Sequence, residues 1–289
     1  MSNFSAVLVG INKYPGAPLR GCINDVIIMR DILVKKYGIQ AKNIRLILDE
    51  RATKNNIEER LEWLATNDAE YKMFHYSGHG AQIPVQQYLP DNYEPDGMDE
   101  LLCPFDFNWN GTYITDNKIE AILSKMKEEH HMTMVVDACH SGTIDRAADP
   151  NVRYRTIPTP LDLLARLSTV SLAREQLIAE PGSFDLDSLF AELTEKSAAP
   201  KRNSIKTSKH NVSILTGCRE DQTSSDAYFN GRFHGALSYY MQRTLIREPQ
   251  ISIKELRQKC ENKLRLNKFS QVPQLIASEA NLDLPFIQK

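Results

Sequence analysis

The chain has 289 residues, and its 35 lysine and arginine side chains nearly balance 37 aspartates and glutamates, for a formal net charge of −2. This length can bury the core of one large domain, and 42% hydrophobic with 25% charged residues is ordinary for a globular protein. The near-neutral balance gives no reason to expect nucleic acid or an anionic membrane surface as a partner. The first residues, MSNFSAVLVGINKY, predict a buried strand rather than a signal peptide. No run approaches the roughly 18 apolar residues of a membrane span, so a cytoplasmic protein is expected.

The cysteines are five in number and contain no Cys-x-x-Cys pair. In a reducing compartment they are expected to be free thiols, which argues against a disulfide framework or a zinc ribbon. Cysteines that have no catalytic residues near them usually pack as small apolar groups. This is the expected role of Cys22, Cys103, Cys218 and Cys260.

Four short apolar runs are typical of strands buried on both faces of a parallel sheet. They are Ala6–Ile11, Ile44–Leu48, Met73–Tyr76 and Met132–Val136. Apolar residues at helical spacing follow Asn24-Asp25, Thr53 and Asp116, each of which could begin a helix. The alternation predicts an α/β fold with a mainly parallel central sheet flanked by helices on both faces.

Residues 146–210 differ in composition from the rest of the chain and are predicted to form a connector between its two parts. The prolines in ADPNVRYRTIPTP predict irregular chain, and the basic, polar end of the segment predicts exposure. A strand at Val212–Leu215 and helices at Gly235–Leu245 and Ser252–Leu266 are predicted after it. We therefore expect one domain over 1–289, with a large part (1–145), the connector, and a small part (211–289) that completes the same sheet.

Two predicted strands end in reactive residues. One ends in HYSGHG, where His79 lies between Gly78 and Gly80, and the other in DACHSG, which contains Cys139. Ligands of parallel sheets lie at the carboxyl ends of strands, so the thiol and the imidazole are expected side by side, as nucleophile and base. The backbone N–H groups of Gly80 and Cys139 could hold an oxyanion.

Two other interpretations of these residues are disfavoured. A zinc site built from His75, His79, Cys139 and His140 is not expected, because the four-residue spacing lies on a strand rather than on one face of a helix. His75 is expected to be buried and hydrogen-bonded. Ser141 lacks the Gly-x-Ser-x-Gly surroundings of a serine hydrolase.

Together, HYSGHG and DACHSG resemble the paired signature of the metacaspases, the caspase-like cysteine peptidases of bacteria, protists, fungi and plants. VLVGINKYPGAPLRGCINDV, DGMDELLCPFDF and SILTGCREDQTSSDA are similar to further parts of that domain, so the resemblance covers nearly everything outside the connector. It implies the caspase–haemoglobinase fold, a His79–Cys139 dyad, cleavage after Lys or Arg, and a monomer.

The preference for a basic P1 residue, the residue before the cut bond, has support in the sequence. Asp137 lies two residues before Cys139, so the two side chains would point the same way on a strand. Asp25 matches a family position that lines the P1 pocket, and Cys22, three residues before it, could border the same pocket. Alternative roles stay open: Asp25 as a helix N-cap, and Asp137 as a carboxylate that only accepts backbone N–H groups.

The resemblance also implies a calcium site, while no organic cofactor is expected. The matching positions are Asp99, Asp116, Asn117 and Asp145, although Asn117 lacks the charge of the usual aspartate. Aspartates in loops often only cap a helix or face solvent, so a role without a metal stays open for these residues as well.

Self-processing in the connector is a further implication. Its basic candidates are Arg146, Arg153, Arg155, Lys201, Arg202, Lys206 and Lys209. The main hypothesis is thus a cysteine endopeptidase acting on proteins or peptides. The alternatives are a non-catalytic caspase-like interaction module, which the complete dyad disfavours, and a related peptidase with another P1 preference.

Overall fold

A six-stranded sheet forms the centre of the computed structural model, which describes residues 3–84, 98–139, 152–165, 211–219 and 222–288. Its spatial order is β12 (Gln274–Ile276), β9 (Asn211–Thr216), β7 (His131–Asp137), β3 (Tyr71–Ser77), β1 (Phe4–Gly10) and β2 (Ile44–Leu48). All neighbours are parallel except β12, which is antiparallel to β9. The predicted mainly parallel sheet is confirmed, and the C-terminal part of the chain completes it.

Helices cover both faces of this sheet. They are α1 (Cys22–Lys35), α2 (Lys54–Thr66), α3 (Asp116–Leu123), α4 (Ala236–Arg247) and α5 (Ile253–Leu266), with single turns at Ala41–Asn43, Asp49–Arg51 and Glu279–Leu282. Val7 and Val9 share a core with α2 and α3, whereas Ala6 and Leu8 share one with α1, α4 and α5. Because both faces are covered, β1 is buried along its whole length. None of the described helices has the length and apolar character needed to cross a bilayer.

The helix starts agree only in part with the expectations. Thr53 caps α2 by accepting the Asn56 N–H, as predicted. The proposed cap at Asn24-Asp25 is wrong, because α1 already begins at Cys22 and has no side-chain cap. In α3 the cap is Thr115, and Asp116 is the first helical residue.

Two small antiparallel sheets lie beside the ends of β3 and β7. One contains β4 (Gly80–Pro84), β5 (Met98–Leu102) and β6 (Ile114–Thr115). The other contains β8 (Val152–Tyr154), β10 (Ser225–Phe229) and β11 (Arg232–Gly235). The prediction of irregular chain is therefore wrong for β8, since the nearby prolines flank this strand without interrupting it.

Candidate active site

The register of the central sheet brings His79 and Cys139 to one edge. Ser77 at the end of β3 pairs with Asp137 at the end of β7, and each catalytic candidate lies two residues beyond its strand. Cys139 thus lies in the turn after β7, and the expectation that it shares one strand with Asp137 is wrong.

The imidazole of His79 is held from several sides. Its backbone N–H donates to the Tyr14 hydroxyl at 3.1 Å, and its carbonyl accepts from Tyr76 at 2.7 Å. A Cβ at Gly78 would lie 2.5 Å from the Tyr14 oxygen, so the need for glycine there is one of space. Nε2 is 2.7 Å from the Ala17 carbonyl, while Nδ1 is buried and lacks a hydrogen-bond partner among the described residues.

These surroundings keep the ring neutral. Burial is the main cause that lowers the pKa of His79 to about 4, although the hydrogen bond to Ala17 acts in the opposite direction. The Ala17 carbonyl can only accept a hydrogen bond, so the proton of the neutral ring is on Nε2. Nδ1 is then the atom that can accept a proton.

Arg155 of the connector occupies the site that the two motifs form. Its carbonyl oxygen accepts the N–H groups of Gly80 at 3.0 Å and Cys139 at 3.1 Å. Its own N–H donates to the Ser224 carbonyl at 2.9 Å, which continues the pairing of β8 with β10. The side chain is fully buried. The expectation of an exposed connector is therefore wrong at this residue.

The guanidinium of Arg155 lies in an acidic pocket. Its Nη2 is 2.8 Å from Asp25 and 3.0 Å from Asp226, and all three side chains are fully buried. Nη1 donates to the Ser77 hydroxyl at 2.7 Å and lies 3.3 Å from Oδ2 of Asp137. Three contacts with carboxylates and one with a hydroxyl, divided between two nitrogens, fit a planar fork better than a single ammonium group.

Asp226 and Ser77 were missed as pocket residues. Asp226 belongs to the quoted SSDA block, but its carboxylate reaches the pocket only because β10 packs beside the loop before α1, where the carboxylate accepts the Arg20 and Gly21 N–H groups. Gly235 lines the same pocket, since a Cβ there would lie 2.4 Å from Nη1 of Arg155.

The two predicted carboxylates have structural partners as well. Asp137 accepts the hydroxyls of Ser224 at 2.6 Å and Ser238 at 2.7 Å, so it orders the loops around the pocket besides facing Arg155. Asp25 lies 3.0 Å from His234. Burial alone would raise the pKa of Asp25, but Arg155 and His234 together lower it below its usual value.

Cys22 and His75 are buried beside this pocket. Burial raises the pKa of the Cys22 thiol well above its usual value, which the nearby Arg155 charge only partly offsets. Cys22 is therefore a neutral lining group. Nε2 of His75 lies 3.4 Å from the Ser238 hydroxyl, as expected of a buried, hydrogen-bonded histidine.

Cys139 is joined to Cys218 by a disulfide, with the two Cα atoms 6.5 Å apart. The expectation that Cys218 is a packing residue and that all thiols are free is thus wrong. Both cysteines follow the ends of neighbouring strands, because β7 pairs with β9 and Val136 lies opposite Thr216. The Sγ of Cys139 also accepts the Ser224 N–H. Cys22, Cys103 and Cys260 are free and buried.

Three of the calcium candidates are neighbours at β5 and α3. Nδ2 of Asn117 donates to Asp99 at 3.4 Å, and its backbone N–H donates to Asp116 at 2.8 Å. Calcium takes six to eight oxygens, so these groups would need further ligands, and the Asn117 amide would have to present its oxygen instead. No group of three His, Cys, Asp or Glu side chains suited to a metal occurs among the described residues.

Several candidates lie outside the described residues. They are His140, Ser141, Asp145, Arg146, Lys201, Arg202, Lys206 and Lys209.

Several known proteins are similar to this chain. A family model described as the metacaspase, peptidase C14 domain matches residues 5–146. Metacaspase-1 of Kluyveromyces lactis is 32% identical over 98% of this chain and 68% of its own length. Metacaspase-1 of Schizosaccharomyces pombe is 32% identical over 94% of the chain and 67% of its own length. A crystal structure of a Geobacter sulfurreducens protein shares the fold, with a TM-score of 0.62 at 22% identity over 98% of this chain and 97% of that one. The chain therefore belongs to the metacaspase family of C14 cysteine peptidases.

Proposed function

We propose that this cysteine endopeptidase cleaves after arginine and lysine, and that its own Arg155–Thr156 bond is the first bond it cuts. The observation that carries the proposal is the double placement of Arg155. Its side chain lies among the carboxylates, while its carbonyl lies between the N–H groups of Gly80 and Cys139. A carbonyl held in this way is polarised for attack, and the charge that develops on its oxygen is stabilised.

The chemistry follows from the positions of the dyad. In the reduced protein, Nδ1 of His79 takes the proton of the Cys139 thiol, and the thiolate attacks the carbonyl carbon of Arg155. The tetrahedral intermediate collapses with cleavage of the C–N bond, and His79 returns the proton to the Thr156 nitrogen as it leaves. Water, deprotonated by His79, then hydrolyses the thioester. The disulfide to Cys218 must be reduced first, because a disulfide sulfur carries no thiolate.

Calcium activation is part of the proposal, with Asp99, Asp116, Asn117 and Asp145 as the candidate ligands. Its support is that three of these candidates are neighbours at β5 and α3. No step above passes through the ion. A monomeric state stays a prediction.

Mass spectrometry of the reduced chain, with calcium and with chelator, tests self-processing. We expect fragments that end at Arg155 and begin at Thr156, and their absence in Cys139→Ala. A cut elsewhere in the connector would contradict the choice of bond. A difference between the calcium and chelator samples would decide the metal requirement.

Short fluorogenic peptides test the specificity towards other substrates. Peptides that end in Arg or Lys should be hydrolysed, and a matched peptide that ends in Asp should not. Hydrolysis after Asp would mean that the carboxylates do not form the P1 pocket.

A further inference from the structure

The connector contacts the site on both sides of the Arg155–Thr156 bond. Before the bond, Val152–Tyr154 pairs antiparallel with β10. After it, Thr156 forms a parallel bridge to Gly80, and the Ile157 N–H donates to the Gly80 carbonyl at 2.9 Å. Further along, the Thr159 hydroxyl donates to the Gln82 carbonyl at 2.7 Å. The chain after the cut thus follows β4 for four residues.

The edge of β4 that receives this chain is the one opposite β5. Gly80 both donates and accepts along it, and the Gln82 carbonyl accepts from a side chain, as in strand addition to a sheet edge. The Gly80 N–H and carbonyl would bind the same backbone positions of any extended peptide, whereas the Gln82 carbonyl needs a donor side chain at the position of Thr159. The edge therefore serves as a binding site for the residues after a cut, called P1′ to P4′.

Two side chains after the bond fill defined places. Thr156 (P1′) is 6% exposed, and its hydroxyl has no hydrogen-bond partner among the described residues. Ile157 (P2′) is partly buried and packs against the core that α2 and α3 share with the sheet. The subsite for P1′ is closed and offers the Thr156 hydroxyl no partner, so it suits a small apolar side chain. The subsite for P2′ suits an aliphatic side chain.

We propose that the β4 edge selects substrates by their primed side: extended segments with a small β-branched residue at P1′ and an aliphatic residue at P2′. This rests on the proposed endopeptidase function and adds a specificity determinant outside the acidic pocket. A consequence is that valine at P1′ should be at least as good as threonine, because valine has the same shape and buries no unpaired hydroxyl.

The test uses the reduced full-length chain and internally quenched peptides with the sequence VRYRTIPT. Replacing Ile by Asp at P2′ should lower kcat/KM by about tenfold or more. Thr→Val at P1′ should leave kcat/KM equal or higher, whereas Thr→Trp should lower it by about a hundredfold. N-methylation of the P2′ nitrogen, which removes the donor to Gly80, should lower it by about tenfold. N-methylation at P4′ is the matched control, and it should have little effect because the Thr159 N–H donates no hydrogen bond to the described residues.

The coumarin amide of VRYR separates the two proposals, because it has the acidic-pocket residue but nothing after the bond. If it is hydrolysed while the quenched peptides show no primed-side preference, the β4 site is refuted and the peptidase assignment stands. If VRYR-coumarin and all the peptides resist hydrolysis by the reduced protein, both proposals fall. Hydrolysis of both, with the order of preference given above, supports the β4 site.

Discussion

Replacing Arg155 by alanine should destabilise the uncut protein strongly. The guanidinium is fully buried within 3.3 Å of three carboxylates, and its loss leaves those charges buried without a cation. Breaking a buried ion pair by removing one partner costs about 3–5 kcal/mol. We expect the lower end, about 3 kcal/mol, because water can enter a substrate pocket that holds no side chain and hydrate its carboxylates.

Urea denaturation followed by tryptophan fluorescence measures this free energy of unfolding. All variants carry Cys139→Ala, so that neither cleavage nor the disulfide complicates the comparison. Arg153→Ala is the matched control: the residue lies on the same strand, but its guanidinium is only partly buried and donates to the Pro18 carbonyl. It should cost about 1 kcal/mol or less. If Arg155→Ala lies within about 1 kcal/mol of the Arg153 control, the carboxylates do not depend on Arg155, and the pocket argument fails.

Three further predictions concern catalysis. The oxidised protein should hydrolyse no peptide until dithiothreitol is added. The Cys218→Ser variant should be active without the reductant. Hydrolysis by the untreated wild-type protein would show that Cys139 is not held by the disulfide. Peptides with Arg at P1 should exceed their Lys counterparts in kcat/KM by about tenfold. Asp226→Asn should lower kcat/KM of the Arg peptides by about tenfold or more. Equal kcat/KM values for Arg and Lys peptides in the wild type would contradict the fork geometry. Because the pKa of His79 is lowered to about 4, its base form persists at low pH. Self-cleavage started by reductant should therefore keep its rate down to about pH 5 and fall to half near pH 4, whereas a half-point near 6.5 would mean that the ring is solvated in the uncut chain.

The sheet and the placement of the dyad could be predicted because both depend on local signals. Buried strands leave continuous apolar runs, and glycines beside a histidine or cysteine mark strand ends with room for a ligand. Asp137 was found because it lies two residues before Cys139, whereas Asp25 was found only through the resemblance to the metacaspase domain. The helix cap assigned to Asp25 failed because a carboxylate in the first helical turn looks the same whether it caps or faces a pocket.

The remaining residues of the site depend on tertiary path. Asp226 reaches the pocket through β10, and Ala17 reaches His79 from the loop before α1. No spacing in the sequence relates them to the dyad. The disulfide depends on the same kind of information, since it is the placement of β9 beside β7 that brings the residues after both strand ends together.

The choice of Arg155 over Arg153 within the connector follows from what comes after each of them. Moving the chain by two residues would keep the same faces turned to the site and place Arg153 in the acidic pocket. Tyr154 would then occupy the P1′ place, which is closed around Thr156 at 6% exposure. A tyrosine ring cannot enter that space without displacing its walls, which in a packed interior costs about 1–3 kcal/mol or more. Under the proposed cleavage after Arg155, either arginine could fill the acidic pocket, so the residue after the bond would decide which bond lies beside Cys139 and His79.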